Sequence, residues 1–314
     1  MNVLTLLLAV LSVAPAPSPA NTVVLLPLDN VSGAESAKEQ LAPALEEAIT
    51  RHGWKVISGG EITALLEAER VRYVDTLEAP MLQKIIAATG ASGVVAATVY
   101  TYNDSRNATV AVSARMLRTD GTIAWSDVAA LSSEDTTRVL GFGKKTAAGD
   151  LALQAIDLLT RRLPSPDREA PLRKGPTKPL FHAAPASFRS GELDTSHPQR
   201  VCVLPFENLS SNPDASRVVA DILTMRLAAA QGFEVVDAAT LRAAALTAEI
   251  ASFRIVSSDD LQRLAKPLGT SLFIRGTIYD FTDPTARTGG EPRLQLDLSL
   301  VDVSSGRVLW AAQH

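Results

Sequence analysis

Apolar residues recur along the chain with two different periods, and their order predicts its secondary structure. The run Val23–Leu28 is apolar throughout, as in a buried central strand. After it, Leu41, Leu45 and Ile49 recur every fourth residue, which indicates an amphipathic helix. The elements predicted next are a strand at 55–57, helices at 61–71 and 80–89, strands at 93–102, 109–117 and 122–130, and a closing helix at 144–162.

The same series of elements occurs twice. The segment TVVLLPLDNVSG from Thr22 matches RVCVLPFENLSS from Arg200, and GWKVIS from Gly53 matches GFEVVD from Gly232. The first pair of segments lies 178 residues apart and the second 179, and similarity at a nearly constant spacing indicates an internal duplication. We therefore predict an α+β fold of two tandem β-α-β-α-α-β-β-β-(α) domains, each a mixed sheet with helices packed on it. The second copy, which runs to His314, lacks the closing helix.

Two segments lie outside the repeats. Residues 1–20 combine an apolar run, too short to span a bilayer, with small residues before Asn21, which is typical of a secretory signal peptide. Residues 164–199 are rich in Pro, Lys and Arg and predict a basic linker. This linker is either a solvated spacer or a tether to anionic envelope polymer or lipid. The predicted domains are 21–163 and 200–314.

Composition narrows the range of functions. Lys and Arg total 30 against 34 Asp and Glu, and a net charge of −4 supplies no general attraction to nucleic acid or an anionic membrane. Aromatic residues make up 5%, with four His and one Cys, so few groups are present for metal, nucleophilic or base-stacking chemistry. We therefore predict a protein that is not an enzyme and has no cofactor, no metal and no nucleic-acid partner.

Individual candidates for chemistry are weak. Cys202 lies in the apolar strand VCVLPF, where a buried structural thiol is favoured over a nucleophile without an obvious base. The four histidines do not have metal-ligand spacing. The segment Gly141–Thr146 resembles a phosphate loop but lacks its first Gly and the Ser or Thr that would hold the metal.

One acidic position is repeated at the end of the first strand of each copy. Asp29 and Glu207 occupy it, each followed by Asn30 or Asn208. The ends of strands often carry binding sites, but a role in capping the next helix is the favoured interpretation.

Paired aromatic residues are the candidate interaction sites. Trp125 and Trp310 each follow a turn glycine, and Tyr100 and Tyr279 occupy equivalent positions in the two copies. Packing within the domains is the favoured role for the tryptophans, and anchoring a partner is the alternative.

The motifs of the second copy support a resemblance to a known family. The pattern V-LPFENLS, GFEVVD, DLQRLAKPLGTSLFIRGTIYDF and SSGRVLW, within 200–314, resembles the periplasmic domain shared by CsgG, LpoB and the TolB N-terminal domain. Residues 22–162 resemble it more weakly. The resemblance implies an envelope adaptor or assembly factor, and some members of the family oligomerise. CsgG-like pores and LpoB-like activators carry a lipid-anchoring Cys, whereas the only Cys here is Cys202.

Together these features predict an exported, non-enzymatic adaptor or assembly factor that acts by protein–protein interaction in the periplasm. It would be soluble after signal cleavage, without an integral membrane segment, and association with the bacterial outer membrane is a further option. Its partners are envelope proteins or further copies of itself. The alternatives are a ring-forming secretion or assembly accessory and a periplasmic hydrolase whose site the sequence conceals.

Overall fold

The computed structural model describes residues 21–314 with gaps at 72–73, 75–76, 105–107, 134–146, 167–185, 195, 231, 254–255 and 283–292. The predicted signal peptide 1–20 and the segment Gly141–Thr146 lie outside the described residues.

The first domain is a mixed sheet between helices. Its elements are β1 (Thr22–Leu25), β2 (Asp29–Asn30), α1 (Ser36–Arg51), β3 (Lys55–Ile57), α2 (Gly60–Ala68), α3 (Ala79–Thr89), β4 (Gly93–Asn103), β5 (Thr109–Leu117), β6 (Ile123–Ser132) and α4 (Ala148–Thr160). The strand order is β3-β1-β4-β5-β6, and β2 pairs with β4. β1 is parallel to both of its neighbours, while β4, β5 and β6 are antiparallel.

The second domain repeats this topology. Its elements are β7 (Ala186–Arg189), β8 (Gln199–Val203), β9 (Glu207–Asn208), α5 (Ala215–Ala228), β10 (Phe233–Val236), α6 (Ala238–Thr247), α7 (Ser258–Leu268), β11 (Leu272–Thr282), β12 (Arg293–Asp302) and β13 (Arg307–Gln313). The order is β10-β8-β11-β12-β13-β7, and β9 pairs with β11. The predicted fold class is confirmed. β7 lies within the predicted linker and pairs antiparallel with β13, so this part of the segment extends the second sheet.

The strand registers establish which residues of the two domains are equivalent. Thr98 of β4 lies opposite Ser113 of β5, and Thr277 of β11 lies opposite Asp297 of β12. The equivalent pairs used below are Asp29 and Glu207, Tyr100 and Tyr279, Ser113 and Asp297, Arg115 and Ser299, Val110 and Leu294, Ala114 and Leu298, and Trp125 and Trp310.

Each sheet buries apolar side chains on both faces. In the first domain, α1 and α4 cover one face, and α2 and α3 cover the other. In the second domain, α5 covers the face equivalent to that of α1, and α6 and α7 cover the opposite face. These layers follow from the predicted pattern, because strands that bury both faces read as continuous apolar runs.

Two helices of the first domain can be compared with general expectation and with the predicted bounds. A proline inside a helix usually bends or breaks it, but α1 begins at Ser36 and continues through Pro43 to Arg51. The closing helix α4 spans Ala148–Thr160 within the predicted range and buries its apolar stripe against α1, β5 and β6. In the described part of the chain, no helix is both long enough and apolar enough to cross a bilayer.

Candidate protein-binding surfaces

Helix α5 is shared between the two domains. It packs on its own sheet through side chains such as Val219 and Leu223. Its other side lies on the first domain, where the buried Ser126 hydroxyl of β6 donates to the Met225 carbonyl oxygen at 3.0 Å. We call this contact between α5, β10 and the first sheet the interdomain contact.

Charged side chains of α5 pair with acidic groups of the first domain. Arg217 forms an ion pair with Asp29, and both side chains are partly exposed. Arg226 lies 4.0 Å from Asp127 on β6. Partly exposed pairs of this kind contribute little free energy but orient the two surfaces.

A hydrogen-bonded chain crosses the centre of the interdomain contact. The Tyr100 hydroxyl donates to Asp221 Oδ2 at 3.3 Å and accepts from Ser113 Oγ at 3.1 Å. Burial raises the pKa of Asp221 to about 6, against the opposing charges of Arg115 and Arg217. Burial also raises the pKa of Tyr100, so the phenol stays protonated as the donor.

A buried ion pair forms the second link between the domains. Arg115 Nε lies 2.9 Å from Asp237 Oδ1, and the two side chains are only 7% and 4% exposed. Asp237 also caps α6, because its Oδ2 accepts from the Ala239 backbone N–H at 3.1 Å. A β-bridge between Thr122 and Val236 lies beside this pair. The carboxylate thus fixes both the start of α6 and the position of the first domain.

The equivalent face of the second domain forms an open cleft. Its polar lining includes Glu207, Asp297 and Ser299, which are the equivalents of Asp29, Ser113 and Arg115 in the interdomain contact. The cleft has a volume of about 420 Å³, and its remaining lining is Leu204, Pro205, Phe253, Val256, Leu261, Arg275, Gly276 and Thr277. We call it the Glu207 cleft. The first domain uses these positions to hold a helix, and here they line an open cavity.

The Glu207 cleft contains hydrogen-bonding groups with remaining capacity. Tyr279 is exposed beside it, and its hydrogen bond to Asp297 raises the pKa of the phenol. The Oδ1 atom of Asp297 is buried and has no hydrogen-bond partner among the described residues. A buried acceptor without a donor is costly, so the site favours a ligand that donates.

The aromatic candidates occupy different environments. Trp125 is buried in the core of the first domain, and Trp310 packs partly buried against the core of the second. Tyr100 lies in the interdomain contact and Tyr279 beside the Glu207 cleft. An interaction role with another protein stays a prediction for all four residues.

Sequence reasoning missed the groups that join the domains. Arg115 carried a signal, since it is a charge within an otherwise apolar strand pattern. The predicted capping role of the acidic position at Asp29 is wrong. Helices α1 and α5 have no side-chain cap. Instead, Asn30 and Asn208 hold the loops that follow them by donating to backbone carbonyls four residues ahead, each at 2.7 Å.

The remaining candidates show no reactive environment. The Cys202 side chain is fully buried in β8, and burial raises the pKa of its thiol, as expected for a structural cysteine. Among the described residues, no group of three or more His, Cys, Asp and Glu side chains could hold a metal ion. His182 lies outside the described residues.

Comparisons with known proteins give only structural similarities. No protein-family model matches the sequence, and no curated protein is significantly similar to it. The chain is similar to the lipoprotein GNA1162 of Neisseria meningitidis, at 17% identity and a TM-score of 0.32, over 35% of this chain and 81% of that one. It is also similar to the PelC dodecamer of Paraburkholderia phytofirmans, at 14% identity and a TM-score of 0.32, over 48% and 91%. A third is the LpoB C-terminal domain of Salmonella enterica, at 14% identity and a TM-score of 0.31, over 38% and 82%.

The family resemblance stays a prediction, because the TM-scores of these three structures lie below 0.5. LpoB belongs to the family that the sequence motifs resemble, and its domain is similar here at low identity. The CsgG and TolB parts of the resemblance stay predictions. The proposed function therefore rests on the surfaces described above.

Proposed function

We propose that this protein is a non-enzymatic adaptor of the bacterial envelope that binds a partner protein in the Glu207 cleft. One observation carries the proposal. The first domain holds a helix on this face of its sheet, and the second domain presents the equivalent face as an open cleft of about 420 Å³.

The chemistry of the cleft specifies what the partner presents. Glu207 occupies the position at which Asp29 receives Arg217, so an Arg or Lys of the partner would pair with it. Asp297 Oδ1 would accept a hydrogen bond that no described residue provides. The apolar wall that includes Phe253 and Val256 would take one or two aliphatic side chains. The favoured partner is therefore a protein segment that carries a cation beside apolar residues.

Capture from envelope extract tests this function. The unaltered chain and its variants Glu207→Arg and Glu67→Arg would each be immobilised. The proteins that each one retains from the extract would be compared by quantitative mass spectrometry. Glu67 is an exposed acid on α2, away from the cleft, so it matches the charge change. We expect one or more envelope proteins to be retained by the original chain and by Glu67→Arg but lost with Glu207→Arg. Identical protein sets for all three would contradict the proposal.

Export to the periplasm is part of the same proposal. It rests on the apolar run and the small residues of the first 20 positions. Expression in a Gram-negative host, followed by fractionation and intact mass measurement, should give a periplasmic protein that begins at Asn21. A protein that keeps Met1 in the cytosolic fraction would refute export.

A further inference from the structure

A basic side chain lines the Glu207 cleft beside its acids. Arg275 of β11 is exposed, and it forms no ion pair or side-chain hydrogen bond with another described residue. Its guanidinium therefore keeps its N–H donors for water or for a ligand.

Arg275 occupies the cross-strand position from which Arg115 joins the two domains. In the first domain, Arg115 of β5 lies opposite Ala96 of β4. In the second domain, Ser299 of β12 lies opposite Arg275 of β11. Residues directly opposite each other in an antiparallel pair point to the same face, so both arginines extend from the equivalent face of their sheets. The duplicated fold thus keeps an arginine at this position but carries it on the neighbouring strand.

In the first domain, this arginine binds a carboxylate of the surface that is docked on it. Arg115 forms the buried ion pair with Asp237 at the start of α6. Asp29, the equivalent of Glu207, binds Arg217 of α5. The docking site therefore combines a base and an acid, and the docked surface presents the opposite charge to each.

The Glu207 cleft retains both charges of that docking site. Glu207 supplies the acid and Arg275 the base, and both line the same open cavity of about 420 Å³. We propose that Arg275 binds an Asp or Glu of the partner protein, which carries this acidic residue as well as a basic one for Glu207. This inference rests on the proposed function and adds a second, opposite charge to what the cleft recognises.

A carboxylate suits Arg275 better than a phosphate does. The planar guanidinium can donate two parallel hydrogen bonds to a carboxylate. The acids Glu207 and Asp297 line the same cleft, so a phosphate with its charge of about −1.5 to −2 would be repelled more strongly than a carboxylate. The mixed charges of the lining therefore favour a protein segment that carries both signs.

A second copy of this chain is a poorer partner. By the spacing of the repeat, Glu39 of α1 and Ser58 after β3 take the positions of Arg217 and Asp237. Glu39 would meet Glu207 with like charge, and Ser58 offers no carboxylate to the arginine of the cleft. Arg217 and Asp237 themselves are already paired with the first domain. A different protein is therefore the favoured partner.

Selection from a random peptide library tests both charges. Peptides displayed on phage would be selected on the unaltered full chain, on Arg275→Glu and on the control Arg70→Glu. Arg70 is an exposed arginine just beyond α2, and it too has no ion pair with a described residue. We expect the peptides enriched on the unaltered chain and on the control to combine Asp or Glu with Arg or Lys. On Arg275→Glu, Arg or Lys should take the place of the acid.

Charge exchange with one selected peptide gives the quantitative test. The peptide would be fluorescently labelled and its Kd for each chain measured by anisotropy, with folding of each variant confirmed by circular dichroism. Arg275→Glu should raise the Kd about tenfold or more, because like charges then face each other. Replacing the acid of the peptide with Lys should restore binding to Arg275→Glu and weaken binding to the unaltered chain. Arg275→Gln, which removes only the charge, should give an intermediate Kd and keeps the test valid if Arg275→Glu fails to fold.

The outcomes separate this inference from the proposed function. Peptides whose binding is lost with Glu207→Arg but is equal for Arg275→Glu and the unaltered chain would overturn the inference and leave the proposed function standing. If no selected peptide depends on Glu207 or on Arg275, both are contradicted. Light scattering that shows a dimer, lost with Arg275→Glu, would replace the partner protein by a second copy and would also refute the inference.

Discussion

The ion pair between Arg115 and Asp237 should control how strongly the two domains are coupled. Its atoms lie 2.9 Å apart, and neither side chain is more than 7% exposed. Replacing Arg115 with Met keeps much of the side-chain volume but leaves the Asp237 carboxylate buried without its cation. We expect the free energy of unfolding to fall by about 3–5 kcal/mol, the range found when one partner of a buried pair is removed.

The chain provides its own control pair. Arg51 and Asp157 lie 2.7 Å apart, but their side chains are 57% and 60% exposed. Water and salt screen such a pair, so Arg51→Met should cost at most about 1 kcal/mol. The contrast tests the effect of burial, because both pairs join Arg to Asp at similar distances.

The double variant Arg115→Met with Asp237→Asn separates the loss of attraction from the cost of an unpaired charge. Asn is as good a helix cap as Asp, so α6 should keep its start. Because neither member of the pair is then charged, we expect the double variant to recover most of the stability that Arg115→Met loses.

Urea unfolding at constant pH, followed by circular dichroism, measures these differences. Because the pair joins two domains, Arg115→Met should also resolve the unfolding curve into two transitions, each fitted separately. A loss below about 1 kcal/mol for Arg115→Met, equal to that of Arg51→Met, would refute the reasoning from burial.

Three further predictions concern single residues. The pKa of Asp221 is raised from 3.8 to about 6, so the folded state holds this proton more tightly than the unfolded chain does. The contribution of Asp221 to the free energy of unfolding is complete below pH 3.8 and is lost as the pH rises to about 6. Asp221→Asn should therefore remove this pH dependence from the free energy of unfolding, measured in urea between pH 3.8 and 6. The buried Cys202 thiol should resist iodoacetamide at alkaline pH until the chain is unfolded in urea, as followed by mass spectrometry. Gly276→Ala would place a Cβ 2.0 Å from the Asp297 carbonyl oxygen and should lower the free energy of unfolding by about 1–3 kcal/mol, whereas Gly191→Ala, in open space, should leave it nearly unchanged in the same assay.

The helices and the longer strands of the first domain could be predicted because each buries apolar residues with its own period, and the repeat extends the prediction to the second domain. β7 could not, since Ala186–Arg189 lies in a polar, Pro-rich segment without alternation, and it forms only by pairing with the edge strand β13. The interdomain contact also escaped prediction. A local pattern at Asp29 is compatible with a helix cap, and only the folded chain brings Arg217 to it. Partners distant in sequence leave no periodic signal.

The two copies of the fold nevertheless carry a signal that local patterns lack, because equivalent residues can be compared position by position. On one face, Arg115 needs the buried carboxylate of Asp237, whereas Ser299 at the equivalent position can face an open cleft without cost. On the other face, Ala114 lies beneath α4, whereas Leu298 at the equivalent position packs, partly buried, against the core of the second domain. Both changes fit a first domain whose two faces are filled from within the chain.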